Sequence, residues 1–289
     1  MQFSSIIQFY TILSVINEYS SADNQKEVLK RMRQKFLEST KSSSEYEPTD
    51  VDRVKTNDVW IERFVTYNKD ETEAVKALAT TLKWRKSYGL ENFSDEYFPT
   101  EIHKIGWIVE MGKDKDGRRL YFEQMNRFKR SDLNELIKRH WIYTVEKFDK
   151  QLSAAFNPGA TFMAYFLNAD LSNFDLELYL SKALMFQNHY LRPNMRILIV
   201  GMPPVIQTGF NLVLNGLTDT FRKLFIFTNS DEVRKYVSNS ELPKEMNGTY
   251  DKPLRPIPES AKPLESFTPI RFTPQQIKQI RITFADILK

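Results

Sequence analysis

The spacing of apolar residues changes character along the chain, and each change marks an element. Between Glu71 and Tyr88, Ala74, Ala77, Leu78 and Leu82 recur at helical spacing. Asp70 with Glu73 makes a capping pair at the start and Gly89 offers a left-handed stop, which predicts a helix over 71–88. Asp132 with Glu135 repeats the cap, and Leu133, Leu136, Ile137, His140, Trp141, Thr144, Val145, Phe148 and Leu152 form a long one-sided stripe. Between the two helices, Ile105 to Glu110 and Arg119 to Gln124 read as extended. Asp114-Lys115-Asp116-Gly117 joins them with the residues of a hairpin turn.

From Thr161 the pattern becomes one of short apolar runs, 161–167, 195–201 and 223–228, separated by helix-period segments at 174–190 and 204–216. Parallel neighbours need a crossover and are buried on both faces, so this alternation predicts a mostly parallel sheet flanked by helices. The fold class is therefore α/β with an N-terminal helical subdomain. The expected divisions are a partly helical extension at 1–51, a helical unit at 52–92, the α/β domain at 93–252 and a proline-rich tail at 253–289. The tail carries Pro253, Pro256, Pro258, Pro263 and Pro269 and reads as a linker or wrapping segment.

Composition then removes whole classes of function. Forty-one basic against 37 acidic side chains leave a net charge of only +4 with no basic tract, which disfavours nucleic acid as a partner. There is no cysteine, so disulfides, thiolate metal sites and a cysteine nucleophile are excluded. His103, His140 and His189 are too far apart in sequence for a local metal pair. Residues 112–119 mimic a phosphate loop, but Arg118 and Arg119 stand where Lys and Ser or Thr are needed; the same segment lacks the first ligand of a calcium loop. No G-x-S-x-G elbow is present. Asp170, Asp175 and Glu177 read as acids at a helix start, capped by Ser172 or Asn173, and His189 as a helix C-terminal residue. His140 reads as a satisfied core side chain. No catalytic set, metal or cofactor is nominated.

Residues 1–21 lack a basic residue before Ile6 and are interrupted by Gln8, Thr11 and Asn17, so they read as an N-terminal helix packed on the domain rather than a secretory signal. The longest apolar run, Ile197 to Ile206, is too short to span a membrane. One segment is unusual. Val205, Ile206, Phe210, Leu212, Val213, Leu214 and Leu217 are apolar around more than one face of a helix, with Gly209 and Gly216 towards its ends. Such a helix needs covering twice, which fits burial in a domain or dimer, or a lid with glycine hinges over an apolar cavity.

The stretch His189-Tyr190-Leu191-Arg192-Pro193-Asn194-Met195-Arg196-Ile197-Leu198-Ile199-Val200-Gly201-Met202-Pro203 resembles the H-Y-P-E-R-L-G-K-I-Y-I-I-N-A-P segment of the CRAL-TRIO lipid-binding family, of the phosphatidylinositol-transfer type. Leu82-Lys83-Trp84-Arg85-Lys86, Asp114 to Arg118, Phe210 with Lys223-Leu224, and Leu242-Pro243-Lys244-Glu245-Met246-Asn247-Gly248-Thr249 resemble further family motifs in the same order. The resemblance implies an internal lipid pocket closed by a gate helix at 204–216. It implies a lipid ligand, peripheral contact with membranes, a cytoplasmic location and no catalysis. Strand alternation then nominates Phe162, Ala164, Leu198, Val200, Phe225 and Phe227, with Phe210 and Leu214 from the gate, as pocket lining. Arg192 replaces the family's glutamate while Lys223 keeps the partnering lysine, so the two are headgroup candidates for a bare phosphate or carboxylate, the alternative for Arg192 being a solvated surface charge. Asn247 replaces a family glycine, and Tyr165 or Asn168 stands where an aspartate often ends the strand. The alternatives are a ligand-free interaction or tethering module built on the same fold, and an α/β hydrolase, which lacks a nucleophile and base.

Overall fold

The computed structural model describes residues 25–40, 44–68, 70–131, 133–154, 159–252, 254, 257–267 and 272–289. The segment 1–21 and the cap at Asp132 lie outside these. The chain divides into two compact units, Met1–Tyr88 and Gly89–Lys289.

The described part of the first unit is helical: α1 over 25–39, α2 (Pro48–Thr56), α3 (Asp58–Thr66) and α4 (Glu71–Tyr88). The predicted cap of α4 is present, since the Asp70 carboxylate accepts from the backbone N–H groups of Thr72 and Glu73 at 2.8 and 3.0 Å. Gly89, at φ 69°, ends the helix in the left-handed region. Met32, Phe36, Trp60, Ile61, Leu78 and Leu82 build the core of this unit. Arg85 of the L-x-W-R-K motif is buried and donates to Asp50 at 2.8 Å, and its guanidinium lies 5.9 Å from the Trp60 ring centre. That arginine is thus a structural ion pair.

The second unit is built on five strands in the order β1 (Ile108–Lys113), β2 (Arg119–Gln124), β3 (Ala160–Tyr165), β4 (Met195–Val200) and β5 (Phe225–Thr228). The β1–β2 pair is antiparallel and the other three pairings are parallel. The first strand begins three residues later than its apolar pattern suggests. Ile105 closes the short helix α5 (Thr100–Ile105), and Gly106 at φ 51° turns the chain into the sheet. The loop that mimicked phosphate and calcium motifs is a hairpin turn. Asp114 is buried, its carboxylate accepts from the backbone N–H groups of Asp116 and Arg118 at 2.9 Å each and from the Thr161 hydroxyl at 2.6 Å, and Gly117 takes φ 81°.

Two long helices cover one face of the sheet, α6 (Asn134–Leu152) and α7 (Leu176–His189). The cap of α7 is Asp175, which accepts from the Leu178 N–H at 2.9 Å; Asp170 caps a separate 3-10 turn at Leu171–Asn173. The acids after β3 therefore start helices, with the cap later than expected. After β4 come α8 (Pro204–Asn215) and the single turn α9 (Asp219–Arg222), and past the prolines α10 (Pro274–Thr283) and α11 (Ala285–Leu288). The C-terminal segment is packed. Leu264, Ile280 and Phe284 are buried in the same cluster as Phe98, Ile102 and Trp107, and the Thr100 N–H donates to the Lys262 carbonyl at 2.9 Å.

Candidate ligand pocket

Register divides the inner strands into two faces. On one, Tyr121, Phe162, Ile197 and Phe225 stand side by side, with Glu123, Ala164, Ile199 and Phe227 in the next row. On the other, Phe122, Met163, Leu198 and Ile226 form a row, and Tyr165 and Val200 lie in the next alternate row. That second face packs against Val233, Val237, Leu242 and Met246 from the chain after β5 and is closed. The first face is roofed by α6, α7 and α8, and here the packing leaves a hollow.

The hollow has a volume of about 90 Å³. Its floor is Phe162, Ala164, Ile197, Ile199 and Phe225. Trp141 of α6, Tyr179, Ala183 and Phe186 of α7, Phe210 and Val213 of α8, and Phe221 of α9 make the walls. Rings fill most of the space in a continuous chain: Phe162 to Phe186 at 4.9 Å between centres, Phe186 to Phe221 at 6.0 Å, Phe221 to Phe225 at 5.4 Å and Phe225 to Phe210 at 6.1 Å. Small-molecule sites commonly hold about 300–1,000 Å³, so in this conformation the hollow is smaller than such a ligand needs. One charged pair breaks the apolar lining. Glu123 of β2 and Lys182 of α7 form a largely buried ion pair, with the Lys182 ammonium 4.9 Å from the Trp141 ring centre and 5.6 Å from that of Tyr179. Burial raises the Tyr179 phenol well above its usual pKa, and its hydroxyl donates to the Asn173 carbonyl at 3.0 Å.

Helix α8 is apolar on both sides. Ile206, Phe210 and Val213 point into the domain, while Val205 and Leu212, seven residues apart and hence on one stripe, are 53% and 56% exposed. Gly209 is a close-approach position: a Cβ there would lie 2.6 Å from the Phe174 ring. Gly216 caps the helix with an ordinary φ of −79°, and a Cβ there would meet Leu180 at 2.9 Å. Both glycines let α8 sit flush on its neighbours.

A sequence model of the CRAL/TRIO domain matches residues 103–248, half of the chain and all five strands. The chain belongs to the CRAL/TRIO domain family. Among solved structures, the protein of "Crystal structure of Sfh5" is similar over 89% of this chain and 98% of its own, with a TM-score of 0.52 and 15% identity, a likeness of fold.

Within this CRAL/TRIO fold the nominated residues separate. Phe162, Ala164, Phe210 and Phe225 line the hollow. Leu198 and Val200 do not; both are fully buried on the opposite face, one residue out of phase with Ile197 and Ile199. Leu214 is partly buried beside Val213, which takes the lining position, and Phe227 is 45% exposed, touching the site only through its ring contact with Phe210 at 6.1 Å. The headgroup pair is not assembled. Arg192 is buried and donates through Nε to the Asp149 carboxylate at 3.0 Å, with further bonds to the Asp149 carbonyl and the Ser153 hydroxyl, so its charge is already met inside the protein. Lys223 is exposed. His140 also differs from expectation: it is buried against Phe98, His103 and Trp107, and neither ring nitrogen has a hydrogen-bond partner among the described residues. Burial, and then the neighbouring His103, hold its pKa well below the ordinary histidine value. Among the described residues no helix is long and apolar enough to cross a membrane, and no cluster of acidic and histidine side chains could hold a metal.

Proposed function

We propose that this protein binds one hydrophobic ligand, a phospholipid or another lipid, beneath α8 and carries or presents it at membranes without transforming it. The observation that carries the reading is the apolar hollow on the inner face of the sheet, roofed by a helix that is apolar inside and out. Chain segments Asp50 to Arg53 and Phe227 to Val233 resemble the CRAL-TRIO portion of motile sperm domain-containing protein 2, which supports a carrier of that general type. Energetics support a surface-triggered opening. Exposing Ile206, Phe210 and Val213 to water costs roughly 5–9 kcal/mol at about 1.5–3 kcal/mol per large side chain. Val205 and Leu212 are about half exposed, so burying them in a bilayer surface returns roughly 1.5–3 kcal/mol on the same scale, and the modest excess of Lys and Arg favours an anionic leaflet. Sequestering a dozen methylenes contributes about 10 kcal/mol, at about 0.8 kcal/mol each. The ligand must displace the ring chain as it enters.

The small volume of the hollow favours a second reading, a ligand-free interaction module that keeps the fold as a scaffold. Native mass spectrometry of the purified protein, with lipid extraction, separates the two. Lipid retained at one molecule per chain supports the carrier; protein that purifies bare and takes up nothing from mixed vesicles supports the scaffold.

A further inference from the structure

The apolar hollow has a polar end whose hydrogen-bonding capacity the protein does not use up. Beyond the Glu123–Lys182 pair lies a second cavity of about 10 Å³, room for about one water-sized group. Glu123, Met125, Trp141, Tyr179 and Lys182 border both spaces, so the small cavity continues the large one. Trp107, Gln124 and Trp141 are among the residues that line the small cavity, and each carries a buried polar atom with no hydrogen-bond partner among the described residues: Trp107 Nε1, Gln124 Oε1 and Trp141 Nε1. Buried donors and acceptors are almost always satisfied, so three unmet ones on residues that line one cavity, with a largely buried ion pair among its other lining residues, mark a place where a polar group belongs.

The chemistry of that group follows from the lining. The pair Glu123–Lys182 is neutral overall, and a phosphate or carboxylate that approached Lys182 would also meet the Glu123 carboxylate. Arg192, the buried guanidinium of the second unit among the described residues, is committed to Asp149. The indole N–H groups and the ammonium donate, whereas the carboxylate and the Gln124 amide oxygen accept. A hydroxyl does both, and it is compact enough for the space. We infer that Glu123, Lys182, Trp141 and Gln124 form a recognition point for the hydroxyl group of a lipid alcohol, which would lie with its apolar body along the hollow under α8. This inference rests on the ligand-binding reading above and gives it a substrate class.

The test is calorimetric titration of the full chain with three probes of one length delivered from cyclodextrin: 1-dodecanol, 1-methoxydodecane and dodecanoate. The wild-type protein binds dodecanol about tenfold tighter than the ether, which accepts but cannot donate, and tighter than the carboxylate. Trp141→Phe keeps the ring and removes the donor, and narrows the preference severalfold with affinity for the ether unchanged. The double variant Glu123→Met with Lys182→Met abolishes the preference. If that variant fails to fold, the Trp141→Phe comparison still decides. Equal binding of alcohol and ether overturns the hydroxyl site and leaves the pocket standing; preference for dodecanoate overturns it in favour of an anion site. Binding of none of the three overturns the hydroxyl site, and lipid retention read by native mass spectrometry then decides the ligand-binding reading on its own.

Discussion

Replacing Phe210 by alanine tests whether the hollow is a ligand site or an ordinary packing defect. Phe210 is buried, and its ring lies 5.9 Å from Phe166 and 6.1 Å from Phe225, at the inner face of α8. Removing a buried ring of this kind costs about 3–5 kcal/mol, of which part reflects the space left behind. In a unit of this size, Gly89–Lys289, that lowers Tm by roughly 6–20 °C at about 2–4 °C per kcal/mol. Phe122→Ala is the control, because Phe122 is fully buried on the closed face of the same sheet and its loss has the same expected cost. The variants diverge when 1-dodecanol is present. Phe210→Ala joins the freed space to the existing hollow of about 90 Å³, whereas Phe122→Ala leaves a single ring-sized hole with no extension for a twelve-carbon chain. Phe122→Ala keeps the wild-type hollow, so dodecanol at a hundred times its wild-type Kd returns about 2.7 kcal/mol to that variant, and more to Phe210→Ala, whose enlarged hollow binds the chain tighter. Differential scanning calorimetry with and without the alcohol reads both quantities. Equal recovery of the two variants, or recovery of neither, would refute the assignment of the hollow as a binding site.

Leu212→Asp, on the exposed stripe of α8, changes unfolding free energy by less than about 0.5 kcal/mol and lowers lipid transfer between anionic vesicles; Leu214→Asp is not equivalent, since Leu214 is partly buried against the core and its loss destabilises the fold. Arg192→Met leaves Asp149 buried without its cation and costs about 3–5 kcal/mol in urea denaturation, with the ligand preference of the folded protein unchanged. The third expectation concerns pH. His140 has a folded pKa well below the ordinary 6.5, so the unfolded chain takes up the proton first. Its contribution is full above about pH 6.5 and is lost as pH falls from there towards the folded pKa, at up to about 1.4 kcal/mol per pH unit. Urea titrations at pH 7.5 and 5.5 should show that loss, and His140→Leu should make it shallower, leaving the smaller share of His103, whose pKa burial also lowers. An unchanged slope in the variant removes His140 as the cause.

The fold was legible wherever a local period or cap identified it. Helix α4 runs over the predicted 71–88 because its capping pair and its stop are both local signals, and the strand–helix alternation after Thr161 could only be closed as a parallel sheet. Pocket parity on β4 was not legible, for a physical reason. Ile197, Leu198, Ile199 and Val200 are all apolar because both faces of a central parallel strand are buried, so no alternation survives to say which residues face the hollow. Only the pairing of Phe162 with Ile197 fixes it. Other signals were present and passed over. Lys182 lies between Tyr179, Ala183 and Phe186 on the inner stripe of α7, and Asp149 follows Val145 by four residues on the stripe of α6. A charge on an apolar stripe announces a buried partner, here Glu123 and Arg192 at separations of 59 and 43 residues that no local pattern can reveal. Thr273 with Gln276 is a capping box with proline at the first turn, a helix start set among prolines that otherwise read as a linker.

On the proposed reading, the same aromatic residues explain both the filled hollow and its ability to admit a ligand. The chain of rings from Phe162 through Phe186, Phe221 and Phe225 to Phe210 occupies the space an acyl body would take, and its ring–ring contacts contribute about 0.5–1.5 kcal/mol each beyond simple burial. An empty carrier filled in this way avoids holding a wide dry void, which would cost stability in proportion to its volume. A ligand that displaces the rings replaces one apolar contact by another, so the exchange is nearly balanced inside the domain. The direction is then set outside it, at the stripe of Val205 and Leu212. In water that stripe gains nothing from opening; against a bilayer its burial offsets part of the cost of exposing Ile206, Phe210 and Val213. Gating therefore belongs to the outer face of α8 and selectivity to the polar end beside Lys182, and substitutions at the two places should separate transfer rate from ligand preference.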